Sequence, residues 1–357
     1  MCDFSKYGVP SDEWLALEPK LPPPPEGLSL TERRTLINSL RETAAAESVK
    51  TLSKWISTTD HTITTRDGTT TLQARSYRPV GHGGMDGDAT AEPLPVYIHF
   101  HGGGFLFGTL ASEDAISARI AINARVCVVN VNYRHTPEHK YPVAWNDAED
   151  AFAWVHDNIS LLGGDPTRVL VGGISAGACL TASLALRKHL GLVLQEYPPI
   201  AGLVLMVPSL AHMDCYGPQL AQIASLNVSS FESSKDAPIL SRDTCRMFMD
   251  LLGVTSPDPS NLQMNPGNAS AEQVKGFPPT VFGIAGLDPL RDEGLLFAKK
   301  LAEAGVPTDV NVFKGLPHGF RRFGESLSEC KRWDRVMESG IVWALAEPEA
   351  EGFVIKE

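Results

Sequence analysis

From residue 94 onward, short apolar runs rich in β-branched residues alternate with longer segments of helical period. The runs are Val96–His101, Val126–Tyr133, Val169–Gly172, Gly202–Val207, Thr280–Ile284 and Val310–Phe313. Between or after them, segments 112–124, 144–158, 176–190, 291–304 and 326–346 repeat apolar residues at three- and four-residue spacing. Strands buried on both faces read as continuous apolar runs, so this rhythm predicts an α/β chain with a mostly parallel central sheet flanked by helices. Residues 211–277 break the rhythm with a Ser/Asp/Pro-rich stretch and one helical pattern around Asp243–Leu252.

The first 58 residues read differently. Leu21–Pro25 is a proline run, which forms a stiff extended spacer. Ser29 and Thr31 are capping candidates before a helical pattern through Leu36, Leu40 and Ala44. Thr62–Tyr77 predicts two strands joined at Asp67-Gly68, a strong hairpin signal. Residues 80–92, rich in Gly and Asp, predict a loop.

Chemistry concentrates at strand ends. Gly173-Ile174-Ser175-Ala176-Gly177 follows the strand RVLVG and precedes a helical segment, the setting of a nucleophile elbow. Glycines two before and two after the serine let the chain turn without a Cβ clash, exposing the hydroxyl with the Ala176 N–H beside it. Upstream, His101-Gly102-Gly103-Gly104-Phe105 ends another strand. Its consecutive glycines leave backbone N–H groups unobstructed, as stabilisation of a charged oxygen requires. No GxGxxG or GKS/GKT phosphate signature accompanies it. The order Ser, Asp, His then points to Asp288 and His318, each at the carboxyl end of a strand. Asp292 also stands near, but the helix dipole gives an acid in a first turn a structural reason to be there. His101 is read as orienting its loop, His99 as a strand residue, Glu138 as a buried structural acid, and Glu149 with Asp150 as a solvated helix face.

Charge and composition narrow the partners. Against 31 Lys and Arg stand 42 Asp and Glu, a net charge of −11, and no basic run is present. Nucleic acid and anionic membrane surfaces are therefore disfavoured. Six widely spaced cysteines lack CxxC or metal-ligand spacing and are expected to be free thiols. No signal-peptide pattern and no spanning apolar stretch is visible, so the expected location is the cytoplasm.

HGGGF, GISAG, DPLRDEG, PHGF and Asn132–Pro142 (NYRHTPEHKYP) together resemble the hormone-sensitive-lipase-like branch of the α/β-hydrolases, the α/β-hydrolase-3 group. The resemblance covers residues 94–345. It implies the α/β-hydrolase fold with a helical cap, a triad of Ser175, Asp288 and His318, and an oxyanion hole of Gly102, Gly103, Gly104 and Ala176. It divides the chain into an N-terminal helical cap segment (1–58), a core (59–210 and 278–350) and a cap insertion (211–277). Ile174, His135 and Thr136 depart from the family's usual residues, which bears on subgroup and substrate. The expected activity is a serine carboxylic-ester hydrolase, acting through an acyl-enzyme on a small or short-chain ester, with a secondary metabolite as one candidate. Neither metal nor organic cofactor is expected. The alternatives are a ligand-binding receptor or dehydratase on the same fold, or an amidase, thioesterase or acyl transferase with the same triad. The oligomeric state stays open, a homodimer being one option.

Overall fold

A computed structural model describes residues 1–23, 25, 27–80 and 92–357. Pro24 of the proline run and nearly all of the 80–92 stretch lie outside the described residues. The chain forms two compact units, Leu28–Leu203 and Val204–Glu357, the latter including Met1–Gly27. That N-terminal piece holds the short helix α1 (Asp12–Leu17), capped by the Ser11 hydroxyl, which accepts from the Trp14 N–H.

The 28–203 unit opens with helix α2 (Leu30–Val49), started by a capping box in which Ser29 and Glu32 satisfy each other's backbone N–H groups. Strands β1 (Ile56–Thr64) and β2 (Thr71–Pro79) pair antiparallel around the Asp67 turn, with Thr64 opposite Thr71. Next come β3 (Leu94–Phe100), α3 (Asp114–Ala124), β4 (Cys127–Asn132), α4 (Val143–Asp157), β5 (Gly164–Ile174) and α5 (Ala176–His189). The strand order is β1-β2-β4-β3-β5, with β4, β3 and β5 mutually parallel. Val96, Ile98, Val129, Val131, Val169 and Val171 are fully buried, as strands covered on both faces require. Each such side chain contributes about 1.5–3 kcal/mol of burial. β1 is the edge strand, and its Ser, Thr and Asp residues face solvent.

In the 204–357 unit the order is β6-β7-β8-β9, built from β6 (Gly202–Met206), β7 (Thr280–Leu287), β8 (Thr308–Pro317) and β9 (Ile355–Lys356). The first residues of β6 fall just before the unit boundary. Between β6 and β7 lie two one-turn helices, α6 (Gly217–Leu220) and α7 (Ser230–Ser233), and α8 (Arg242–Leu251). After β7 and β8 come α9 (Arg291–Glu303) and α10 (Glu329–Leu345).

Every apolar run from residue 94 onward is a strand, and each helical segment after it is a helix within a few residues of its expected ends. The helical pattern through Leu36, Leu40 and Ala44 is helix α2, in which these residues are exposed, whereas Arg34, Asn38, Arg41 and Glu42 are partly covered and hydrogen-bonded. Two local expectations fail. Glu149 is not solvated: it is buried and pairs with both Arg66 (2.8 Å) and Arg187 (2.9 Å). Glu138 is not buried: it is exposed and held bidentately by Arg34 at 2.7 Å per contact. All six cysteines are free.

Candidate active site

In the 28–203 unit the two glycine-rich loops leave neighbouring parallel strands. Phe100 of β3 pairs with Gly173 of β5, so Gly102 and Ser175 are each two residues past a registered pair. The loops are packed so tightly that side chains are barred. A Cβ on Gly177 would lie 2.0 Å from the Phe100 carbonyl oxygen, and one on Gly173 would lie 2.4 Å from the Gly177 carbonyl carbon. Ser175, at the head of α5, is forced to φ 56°, ψ −114°. Such a conformation costs a non-glycine residue about 1–3 kcal/mol and persists only where the surroundings impose it. Ala176 begins α5, where backbone N–H groups lack helical acceptors and carry the positive end of the dipole.

The HGGG loop turns at Gly103 (φ 139°), whose carbonyl accepts from the N–H groups of Leu106 (3.1 Å) and Phe107 (2.9 Å). The Gly102 carbonyl accepts from His101 Nδ1 at 3.1 Å and from Arg41 at 3.1 Å. Because peptide planes are trans, both carbonyls aim the following N–H groups, of Gly103 and Gly104, the opposite way. His101 is fully buried, stacked on Tyr133 at 4.4 Å, and the Tyr133 hydroxyl donates to the His101 carbonyl at 2.8 Å. Burial lowers the His101 imidazole to about 4, so it is neutral with its proton on Nδ1, facing the Gly102 carbonyl. It therefore orients the loop and is placed to do so without exchanging protons.

In the 204–357 unit, Leu287 of β7 pairs with Pro317 of β8, and the next residue on each strand is Asp288 and His318. Asp288 Oδ2 lies 2.7 Å from His318 Nδ1, and Asp288 Oδ1 accepts from the Leu290 N–H at 2.9 Å. Asp288 is buried and the His318 side chain is 13% exposed, so the carboxylate has one polar side to spend on the imidazole. Asp292 is occupied elsewhere. It accepts from the Ser230 N–H (2.7 Å) and from the buried Arg291 guanidinium (2.8 Å). The two acids one turn apart thus have different partners.

Thus Gly102, Gly103, Gly104, Ser175 and Ala176 gather in one unit, and Asp288 meets His318 in the other. Sequence reasoning missed several residues around them. Arg41 carries no motif. Glu113, fully buried, accepts from Arg41 at 2.6 Å and lies 3.3 Å from His99, where its position before α3 reads simply as a first-turn acid. Burial pushes the Glu113 carboxyl up, but Arg41 and the His99 contact outweigh that and hold it at about 2. Glu293 is buried and accepts from the Ala211 N–H at 3.1 Å, and burial raises its carboxyl well above the carboxylate range. Its signal was the DEG triplet following Arg291, which reads as a helix start.

Comparison with known proteins adds the class. A family model described as alpha/beta hydrolase fold matches residues 97–322, and the chain belongs to that family, the α/β-hydrolase-3 group. Carboxylesterase NlhH of Mycobacterium tuberculosis is 34% identical over 262 residues, covering 72% of this chain and 73% of that protein. Versiconal hemiacetal acetate esterase of Dothistroma septosporum is 30% identical over 256 residues, covering 71% of this chain and 75% of that one. Among solved structures, a bacterial heroin esterase superposes with a TM-score of 0.75 at 27% identity, covering 95% of this chain and 99% of the other. Among the described residues no helix is long and apolar enough to cross a membrane.

Proposed function

We propose that the protein is a serine carboxylic-ester hydrolase with Ser175 as nucleophile, His318 as general base and acid, and Asp288 as its partner. The observation that carries the reading is Ser175 itself: a serine held at φ 56° at a helix head, beside a loop of unobstructed backbone N–H groups. Nothing in folding alone calls for a strained serine there, and glycine would relieve it.

In this scheme Asp288 accepts a hydrogen bond from the Nδ1–H of His318, which keeps the proton on Nδ1 and leaves Nε2 as the basic nitrogen. Nε2 accepts the Ser175 proton as the hydroxyl oxygen attacks the ester carbonyl carbon, and Asp288 stabilises the imidazolium. The carbonyl oxygen becomes an oxyanion, met by the N–H groups of Gly103, Gly104 and Ala176, with Gly102 carrying the loop. One such donor lowers the barrier by about 2.7–4 kcal/mol. His318 then protonates the leaving alcohol, and a water activated by the same imidazole releases the acid from Ser175.

For substrate we infer an acetyl or other short-chain ester, with a secondary metabolite as its natural form. A relative covering most of this chain is named for an acetate ester. Residues 1–58 and 211–277 are assigned here as the cap that selects the alcohol portion, and the cytoplasm is the assigned location. A receptor or dehydratase reading draws no support from an Asp288–His318 pair at 2.7 Å. The test is hydrolysis of p-nitrophenyl acetate by the wild-type protein and by Ser175→Ala, with fluorophosphonate labelling mapped by mass spectrometry. Labelling on Ser175 with activity lost in the variant is expected. Wild-type turnover by Ser175→Ala overturns the reading.

A further inference from the structure

Helix α2 docks through polar side chains rather than through a leucine stripe. Asn38 accepts the Gly108 N–H at 2.9 Å, Glu42 accepts the Thr109 hydroxyl at 2.6 Å, and Arg41 reaches past both to the Gly102 carbonyl. These three residues stand at i, i+3 and i+4, one helix face, and all their partners lie in residues 102–113, the segment that follows the HGGG strand. Arg41 is fixed in turn. Its second amino group donates to Glu113, whose other oxygen lies beside His99 and which also accepts from Ser112 at 3.1 Å.

A buried carboxylate with a paired guanidinium is not a cheap way to attach a surface helix. Removing both charges for packed apolar groups is often neutral or stabilising in other proteins. What an apolar pair would not do is hold a backbone carbonyl in one direction. A planar guanidinium can grip a carboxylate with one nitrogen and a carbonyl with another, and the rigid fork then sets the plane of the peptide it touches.

We propose that Arg41 is a positioning residue for the oxyanion loop: by holding the Gly102 carbonyl it turns the Gly103 N–H toward the oxygen that gains charge when Ser175 attacks. The inference rests on the ester-hydrolase reading above. His101 Nδ1 holds the same carbonyl from within the loop, so Arg41 is the contribution from outside it, delivered by a segment some sixty residues earlier in the chain. Glu113 and His99 orient Arg41 and touch no reacting atom.

The test compares wild type, Arg41→Met, Arg41→Lys and Ser175→Ala with p-nitrophenyl acetate, with active sites counted by paraoxon titration. Inhibition by an alkyl trifluoromethyl ketone, whose serine adduct carries an oxyanion, is measured in parallel. Arg41→Met should lower kcat per titrated site by about 10- to 100-fold while KM stays within about twofold, because the interaction is made only as charge develops. Ketone binding should weaken by a similar factor. Arg41→Lys keeps a charge opposite Glu113 but not the forked reach to Gly102, and should lose about 3- to 10-fold in both measurements. A role limited to stability would lower the melting temperature and leave kcat per site and ketone affinity unchanged. That result, or a fall in kcat without weaker ketone binding, overturns the inference while an inactive Ser175→Ala leaves the hydrolase reading standing. If Arg41→Met does not fold, Arg41→Lys decides, and wild-type kcat with wild-type ketone affinity in that variant overturns the inference. Wild-type turnover by Ser175→Ala instead overturns the hydrolase reading and with it this one.

Discussion

Asp288 and His318 are consecutive to a registered pair, Leu287 opposite Pro317, on two parallel strands, and their side chains meet at 2.7 Å. Neighbouring parallel strands end side by side, and a shift of register between Ala285 and Leu287 sets Leu287 opposite Pro317, so two residues thirty positions apart are brought together. No long excursion of either loop is needed.

Asp288→Asn should therefore lower kcat for p-nitrophenyl acetate by about 10⁴ with little change in melting temperature, since an amide favours the wrong imidazole tautomer. Asp292→Ala should show the reverse. It leaves the fully buried Arg291 side chain without its carboxylate, an effect that costs about 3–5 kcal/mol for buried pairs. Steady-state kinetics and urea unfolding on both variants check the assignment. A catalytic collapse in Asp292→Ala with an active Asp288→Asn would reverse it.

Gly177→Ala tests the packing of the elbow. The added Cβ would stand 2.0 Å from the Phe100 carbonyl oxygen, which belongs to a paired strand and has nowhere to move. Overpacking of about 1–3 kcal/mol is the usual cost, and a backbone clash of this depth should exceed it. The expected outcome is a sharply reduced urea midpoint or insoluble protein. A midpoint equal to wild type would mean the loops are not packed in this way.

Stability should fall on mild acidification. Burial holds the folded His101 imidazole at about 4 against 6.5 for the unfolded chain, so between these values only the unfolded state binds the proton. The contribution is complete above about pH 6.5 and is lost as pH falls toward 4, by up to about 3 kcal/mol. His156, also lowered to about 4 by burial, adds in the same window. Glu113, held at about 2, loses its contribution only as pH falls below its ordinary value of 4.5. Urea unfolding at pH 7 and pH 4.5 measures the slope. His101→Asn, which keeps a donor for the Gly102 carbonyl, should flatten it, and an unchanged slope would show that His101 does not titrate as described.

Acyl-chain preference follows from the substrate assignment. On p-nitrophenyl esters from C2 to C12, kcat/KM should peak at C2 to C4 and fall by at least about tenfold at C12, since each methylene without a pocket forfeits its burial, about 0.8 kcal/mol. A maximum at C8 or longer would contradict the assignment.

The strands β3 to β8, the longer helices that follow them, the serine turn and the glycine loop were legible along the chain, while the two-residue β9 was not. Each depends on neighbours within a few positions: apolar runs bury themselves as strands, and a glycine-flanked serine can only turn one way. Even the Asp–His partnership followed from strand ends. What the chain did not reveal are the contacts made by polar residues across long separations. Glu149 looked solvated because its partners Arg66 and Arg187 lie 83 and 38 residues away. The helical pattern of α2 did not show which face docks, because hydrophobic period marks only faces buried by apolar contact, and this face is held by hydrogen bonds through Arg34, Asn38, Arg41 and Glu42. Local pattern determined where the strands, the turns and the glycine-flanked serine lie. Tertiary structure alone decided which charges are paired and which carbonyl Arg41 holds, because a polar side chain's role depends on the partner that folding brings to it.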